Sequence, residues 1–165
     1  MTSKVDDQRG RGPGIAFLLT QVGTSAAEGF AQVMDDLDVT PPVAGVLRAI
    51  AAEPGRTQQA LATQLGMVPS GLVALLDGLE QGGSLERRRN PADRRSHALY
   101  LTRSGQTLLR RIGVAAGRHD AAVVEPLTDK ERDQLLGMLR RLAEHQGLTP
   151  GVHPGYRHIR SRRNR

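Results

Sequence analysis

The stretch Asn90 to Gly105 constrains this chain more than any other, because it reads as a turn and a second strand running into a helix. Asn90-Pro91 and Ala92-Asp93 supply turn chemistry. Ahead of them Leu85-Glu86-Arg87-Arg88-Arg89 can run extended. Behind them His97-Ala98-Leu99-Tyr100-Leu101 alternates polar and apolar residues, the period of a half-buried strand. Thr102 stands where an N-cap belongs, before an apolar-periodic run that begins near Leu108. Between Arg87 and Arg95 five arginines face Asp93 alone, a net charge of +4. A basic hairpin of this kind on a small globular domain points to a nucleic-acid backbone as partner.

The rest of the chain reads as helices. From Ile15, apolar residues at Leu18, Leu19, Val22, Ala26, Phe30, Val33, Met34 and Leu37 keep helical spacing. Thr40 and Pro41 then open a second helix, as N-cap and first helical residue, with Val43, Val46, Leu47 and Ile50 inward. Thr57 caps a third, with Leu61, Ala62 and Leu65 inward and Gly66 at its end. A turn through Met67, Val68 and Pro69 leads to a fourth, with Leu72, Leu75, Leu76 and Leu79 inward. Two short helices joined by a tight glycine-containing turn form a helix-turn-helix, and a basic hairpin after the second makes it winged. A fifth helix carries Leu108, Leu109, Ile112 and Val123. A sixth opens on a capping box of Thr128 and Glu131 and carries Leu135, Leu136, Leu139 and Leu142. The order is α-α-α-α-β-β-α-α, with no internal repeat.

Composition excludes several classes of function. There is no Cys, so disulfides, thiolate metal sites and thiol redox sensing are ruled out. With two Phe, two Tyr and no Trp, the core must be aliphatic. No apolar run approaches the roughly 20 residues of a membrane helix, and the polar N-terminus is not a signal peptide, so a cytoplasmic protein is expected. His119-Asp120 lacks a second His one turn on, so no zinc helix is expected. No Ser/His/Asp set, carboxylate pair or phosphate loop stands out, and neither an enzyme nor a cofactor is expected. Five arginines and no acid fall in residues 157–165, which leaves the other 156 residues at +1 of the total +6. The body is nearly neutral; the charge sits on the wing and the tail.

Both the element order and the wing resemble the MarR (multiple-antibiotic-resistance-regulator) family of bacterial transcription factors, over about residues 15–146. The matching residues are Asp93, Arg95, Leu101-Thr102 and Gly105 in the wing-to-helix signature, with Pro69-Ser70 and Asp77-x-Leu79-Glu80 in the fourth helix. The resemblance implies a homodimer in which the first and last two helices interlock, with a winged helix-turn-helix lobe on each side. It implies a repressor that leaves its operator when a small, often phenolic, ligand binds between lobe and dimer region. It also implies that Arg95 enters the minor groove, held by Asp93, a task suited to Arg's planar fork. Arg94 and Arg88 are then expected at phosphates.

The expected architecture is mainly α with a small β-wing: a winged helix-turn-helix plus a helical dimerisation domain. Residues 1–14 form a flexible arm, 15–39 and 106–146 the dimerisation region, 40–105 the DNA-binding lobe and 147–165 a basic tail. Ser70, Gly71, Val73 and Ala74 are expected on the outward face of the fourth helix. No Arg, Lys, Asn or Gln stands on its first two turns, so bidentate base readout is missing there. Ser84 departs from the family's apolar residue at the start of the strand, and its burial is left open. Phe17, Gln21, Thr24 and Pro42 are candidates to line the ligand site. Tyr156 to Arg165 reads as a solvated extension, with a DNA-backbone arm as the alternative. Two-fold symmetry predicts a pseudo-palindromic operator with half-sites about one helical turn apart. A low-specificity DNA-coating protein is the other reading.

Overall fold

The computed structural model describes residues 12–89 and 96–159. Along them run α1 (Ile15–Asp35), α2 (Pro41–Ala52), α3 (Gln58–Leu65), α4 (Pro69–Gln81), β1 (Leu85–Arg89), β2 (His97–Leu101), α5 (Arg103–Val123) and α6 (Asp129–His145). The expected order is present, and the fold is mainly α with a two-stranded antiparallel wing. Helix starts follow side-chain chemistry. Thr57 accepts from the Ala60 amide at 3.2 Å and Thr102 from the Gly105 amide at 3.1 Å. Thr128 and Glu131 close a full capping box. Accepting the Thr128 backbone and hydroxyl hydrogens holds the Glu131 carboxyl below its usual range. The cap is therefore complete above the ordinary Glu pKa and is lost as the pH falls through the lowered one. Thr40 occupies the N-cap of α2, but its side chain bonds no helix amide; Pro41 at the first position does the starting.

α1 ends at Asp35, short of Leu37, because Asp38 turns the chain through a left-handed conformation at φ 56°. α3 and α4 meet at a bend of 118°, within the range of a helix-turn-helix, and Gly66 makes the turn at φ 61°. The core lies in the lobe: Val46, Leu47 and Ile50 of α2, Leu61 of α3, Leu72 and Leu76 of α4 and Leu99 of β2 are fully buried. From α1 only Met34 is fully buried, and from α5 Ile112 is buried. α6 buries no residue at all.

In the wing, Leu85 pairs with Leu101 and Arg89 with His97. The expected in–out alternation of β2 is broken, since Ala98 and Leu99 are both buried. A third short segment explains this. Gly55 donates to the Leu99 carbonyl at 2.9 Å, Leu99 donates to the Arg56 carbonyl at 3.0 Å, and Thr57 bridges Ala98. β2 is thus covered along its second edge by the chain leading into α3.

Residues 147–159 carry the chain back from α6, and Tyr156 departs from the solvated extension expected from that residue on. They run back over the lobe and end in a 3-10 turn, Pro154–His158, whose Tyr156 is buried. A shallow cleft separates this path from Leu65 and Gly66 at the end of α3. The flexible arm expected for residues 1–14 and the last arginines of the tail lie largely outside the described residues. No single helix among the described residues is long and apolar enough to cross a membrane.

Wing and helices meet at a tight crossing. Thr102 donates its hydroxyl to the Gly83 carbonyl at 2.6 Å while capping α5, and its amide donates to the Ser84 carbonyl at 3.2 Å. Ser84 is buried, which settles its placement. Gly105 lies directly against the Ser84 backbone, with no room for a Cβ. Gly105→Ala should cost about 1–3 kcal/mol of stability, because the obstacle is main chain and cannot rotate away. The check is the urea midpoint of the full chain against a Gly113→Ala control, where a Cβ meets open space.

Candidate nucleic-acid interface

β1 carries its arginines alternately to two faces. Arg87 turns inward on α4, donating to Asp77 at 2.7 Å and pairing with Glu80. Partial burial works against its charge. The bond to Asp77 and the field of Glu80 outweigh that burial and hold the guanidinium pKa above its ordinary value. Arg87 is therefore not part of a free basic face: two acids, ten and seven residues upstream, neutralise it and lock the base of the wing to α4. The +4 counted along the ribbon is smaller as presented to solvent.

Arg88 points the other way. It is exposed, pairs with Glu86 and lies over the Tyr100 ring at 4.5 Å. This stack holds the charge at the surface beside the hairpin's strands, where a phosphate could reach it. Asp93, Arg94 and Arg95 lie outside the described residues.

On α4 the expected outward residues separate. Ser70 and Ala74 are exposed and Val73 is half-buried. Gly71 is buried against the Ile159 main chain, so the expectation that it faces outward is corrected. At i and i+3, Gly71 and Ala74 are neighbours on the helix surface, so the C-terminal segment borders the open face without covering it. The wing flanks the other side through Arg87. What remains open on its first two turns is a short strip of small residues able to approach DNA closely, with a hydroxyl at its start and no long polar side chain to read base edges.

Between α1, α2 and α5 lies a cavity of about 220 Å³. Phe30, Ala44, Leu109 and Ile112 make it apolar, Arg48 stands at its edge and Tyr156 forms one wall. Burial raises the Tyr156 phenol pKa, against the pull of Arg48. The four residues expected at a ligand site are not among its lining. Phe17 and Thr24 are exposed on the N-terminal half of α1, and Gln21 borders a separate cleft between α1 and α5. Pro42 gives way to its neighbour Pro41. The lining of α1 comes from its C-terminal half, a displacement that helical periodicity alone could not reveal. His119, the residue considered for zinc, instead contacts the Ala26 carbonyl at 2.9 Å and packs on Phe30, joining α5 to α1. Among the described residues no cluster of His, Asp or Glu could hold a metal ion.

A sequence model described as MarR family matches residues 37–96, from just after α1 to the residue before β2. The chain is 35% identical over 137 residues to a putative transcriptional regulatory protein for the hcr operon of Thauera aromatica, covering 82% of each. It is 27% identical to an HTH-type transcriptional repressor of Mycobacterium tuberculosis, over 78% of this chain and 92% of that one. Among solved structures it is similar to the transcriptional repressor CouR bound to a 23-mer DNA duplex. The TM-score there is 0.71 and the identity 37%, over 79% of this chain and 92% of that one. It is also similar to a MarR-family protein of Mycobacterium tuberculosis in complex with salicylic acid. The TM-score is 0.64 and the identity 26%, over 79% and 97% of the two chains.

The Arg87 clamp predicts a measurable coupling. A double-mutant cycle on Arg87→Ala and Asp77→Ala, read by chemical unfolding, should give about 0.5–1 kcal/mol, because Asp77 is half exposed. The coupling should shrink in 1 M salt, and zero coupling at low salt would remove the clamp.

Proposed function

Given that the chain belongs to the MarR family of DNA-binding transcriptional regulators, we propose that it acts as a homodimeric repressor released from its operator by a small aromatic ligand. α4 enters the major groove through Ser70, Val73 and Ala74. The wing contributes phosphate contacts from Arg88 and Arg94 and a minor-groove contact from Arg95 held by Asp93. The observation that carries this reading is the open strip on α4 beside a wing fixed to the same helix by Arg87. A wing locked in this way offers its charges in register with the helix, which lets phosphate contacts position a helix that reads few bases.

Dimerisation is supported by the apolar surface a single chain leaves open. Ile15, Phe17, Leu18, Leu19 and Val22 of α1 are exposed, as are Leu136, Met138, Leu139 and Leu142 of α6. Pairing through residues 15–39 and 106–146 would hide this surface and place the 40–105 lobes on two sides. The ligand site is the cavity between α1, α2 and α5, whose apolar walls and one peripheral cation suit an aromatic acid. Ligand works by preferring a lobe spacing that does not match the operator.

A second reading, a low-specificity DNA-coating protein, is favoured by the absence of Arg, Lys, Asn and Gln from the first two turns of α4. Binding to the chain's own upstream DNA and to a scrambled duplex, at two salt concentrations, separates the two. A preference of about a thousandfold or more is expected for the repressor. Equal, steeply salt-dependent binding to both would overturn it in favour of coating. For the dimer, Leu139→Asp should yield monomer in sedimentation equilibrium and abolish operator binding, whereas an unchanged dimer would move the interface elsewhere.

A further inference from the structure

Gly45 of α2 and Gly71 of α4 each weaken a helix relative to Ala, and the C-terminal segment occupies the space both leave. The Tyr156 ring lies on Gly45 and the Ile159 main chain on Gly71, with no room for a Cβ at either. The segment is built by its own turn chemistry. Gly147 donates to the Glu144 carbonyl and Leu148 to the Ala143 carbonyl, each at 3.0 Å, a Schellman close that turns the chain back from α6. Pro150 and Gly151 form a second turn, closed by Val152 donating to Thr149 at 3.1 Å. Arg48 of α2 donates to the Gly151 carbonyl, and His153 accepts from the Gly155 amide at 3.0 Å to open the last turn. Val152 and Ile159 pack, partly buried, against the core. The Tyr156 hydroxyl is 3.5 Å from the Pro41 carbonyl, too far for a strong bond, so the fit of the ring holds it.

The first turn of α4 needs outside support. Its N-cap is Val68, which offers no side-chain capping bond, and Gly71 is its third residue. Ser70, the exposed hydroxyl of the open strip, belongs to this same turn. The other end of α4 is already held, by Arg87 and by the crossing at Gly83 and Ser84. Resting on the reading under Proposed function, we propose that residues 147–159 brace the first turn of α4 and so govern which sequence the helix accepts. Tyr156 and Ile159 are positioning residues, acting through α4 rather than on DNA. Tyr156 locks the brace to α2, and three residues on Ile159 carries that lock to Gly71. Gly45 and Gly71 are the two sockets, and the missing Cβ of each is what admits the brace. Phosphate contacts from the wing do not pass through this turn. Loss of the brace therefore costs choice of sequence and not the hold on the backbone.

The test uses the full chain with its own upstream duplex and a scrambled one, read by affinity and by amide hydrogen exchange. Tyr156→Ala and Gly45→Ala should each lower the preference for the own duplex about fivefold or more. Binding to the scrambled duplex should stay within about twofold. Exchange at the Gly71 and Leu72 amides should speed in both variants, with Leu79 and Glu80 at the far end of α4 unchanged. Tyr156→Phe should match the wild type in both readouts, because the ring and not the hydroxyl is the anchor. Gly45→Ala leaves the segment's sequence intact and places a better helix former in α2, so it decides if Tyr156→Ala fails to fold. A third comparison needs no variant. In the wild type the own duplex should slow exchange at the Tyr156 and Ile159 amides more than the scrambled one does, since a brace that favours the operator is favoured by it in return. Equal protection by the two duplexes would overturn the brace even if neither variant folds. Folded variants that keep the wild-type preference would overturn it and leave the regulator standing. Equal weakening on both duplexes would also overturn it, marking lost charge rather than lost position. Faster exchange along all of α4 would do the same, reducing the segment to a share of global stability. A wild type that does not tell its own duplex from a scrambled one would sink the reading under Proposed function, and the brace's effect on sequence choice with it.

Discussion

The crossing of Gly83-Ser84 with Thr102–Gly105 is the contact on which the rest of the geometry depends. One hydroxyl, on Thr102, donates to Gly83 and accepts from Gly105, so it ties the end of α4 to the start of α5. The backbone at Ser84 completes the knot, bonding back to Leu79 at 2.8 Å and forward to Thr102. Because Gly105 carries no Cβ, α5 passes within main-chain contact of this point. The consequence is mechanical: α5 leaves the lobe at one fixed angle, so a displacement of its far end must turn α4 and the wing with it. A looser joint would leave the lobes free to find any spacing and would give a ligand nothing to bias.

Charge follows a similar economy of position. Arg87 joins wing to helix at the expense of its value as a DNA contact. The desolvation it suffers is tolerable only because two carboxylates answer it. Arg88, one residue on, has the opposite fate: stacked on Tyr100 and exposed, it keeps its charge at the surface. Adjacent arginines of one strand thus do structural and electrostatic work separately, and strand alternation alone decides which does which.

How much of this was legible follows from the range of each interaction. Local chemistry was readable: the caps at Thr57, Thr102 and Thr128 and the turn at Gly66 need only neighbours in sequence. Pairings at a distance were not. Arg87 looked like one more wing charge because Asp77 and Glu80 lie on another element. Gly71 looked outward because helical periodicity knows nothing of Ile159, 88 residues on. The buried pair Ala98-Leu99 broke the strand alternation because a three-residue segment before α3 covers the second edge. Tyr156 sits in a stretch rich in Gly, Pro and Arg, whose composition resembles a solvated tail. A single ring fitted over Gly45 leaves no periodic trace. The ligand candidates Phe17, Gln21 and Thr24 fall in the exposed half of α1, away from the cavity beside Tyr156, since an apolar stripe does not say which partner each turn meets.

The cavity beside Tyr156 limits how a ligand could act in the regulator we propose. At about 220 Å³ it has room for one small aromatic ring without moving its walls, so occupancy alone changes nothing. A ligand there shifts DNA binding only if α1, α2 and α5 close around it better in one lobe spacing than in the other. By reciprocity, DNA that holds the opposite spacing lowers the ligand's affinity by the same factor. Such an arrangement suits a helix that reads few bases. When much of the affinity comes from backbone charge, moving a few charges is the direct way to switch it.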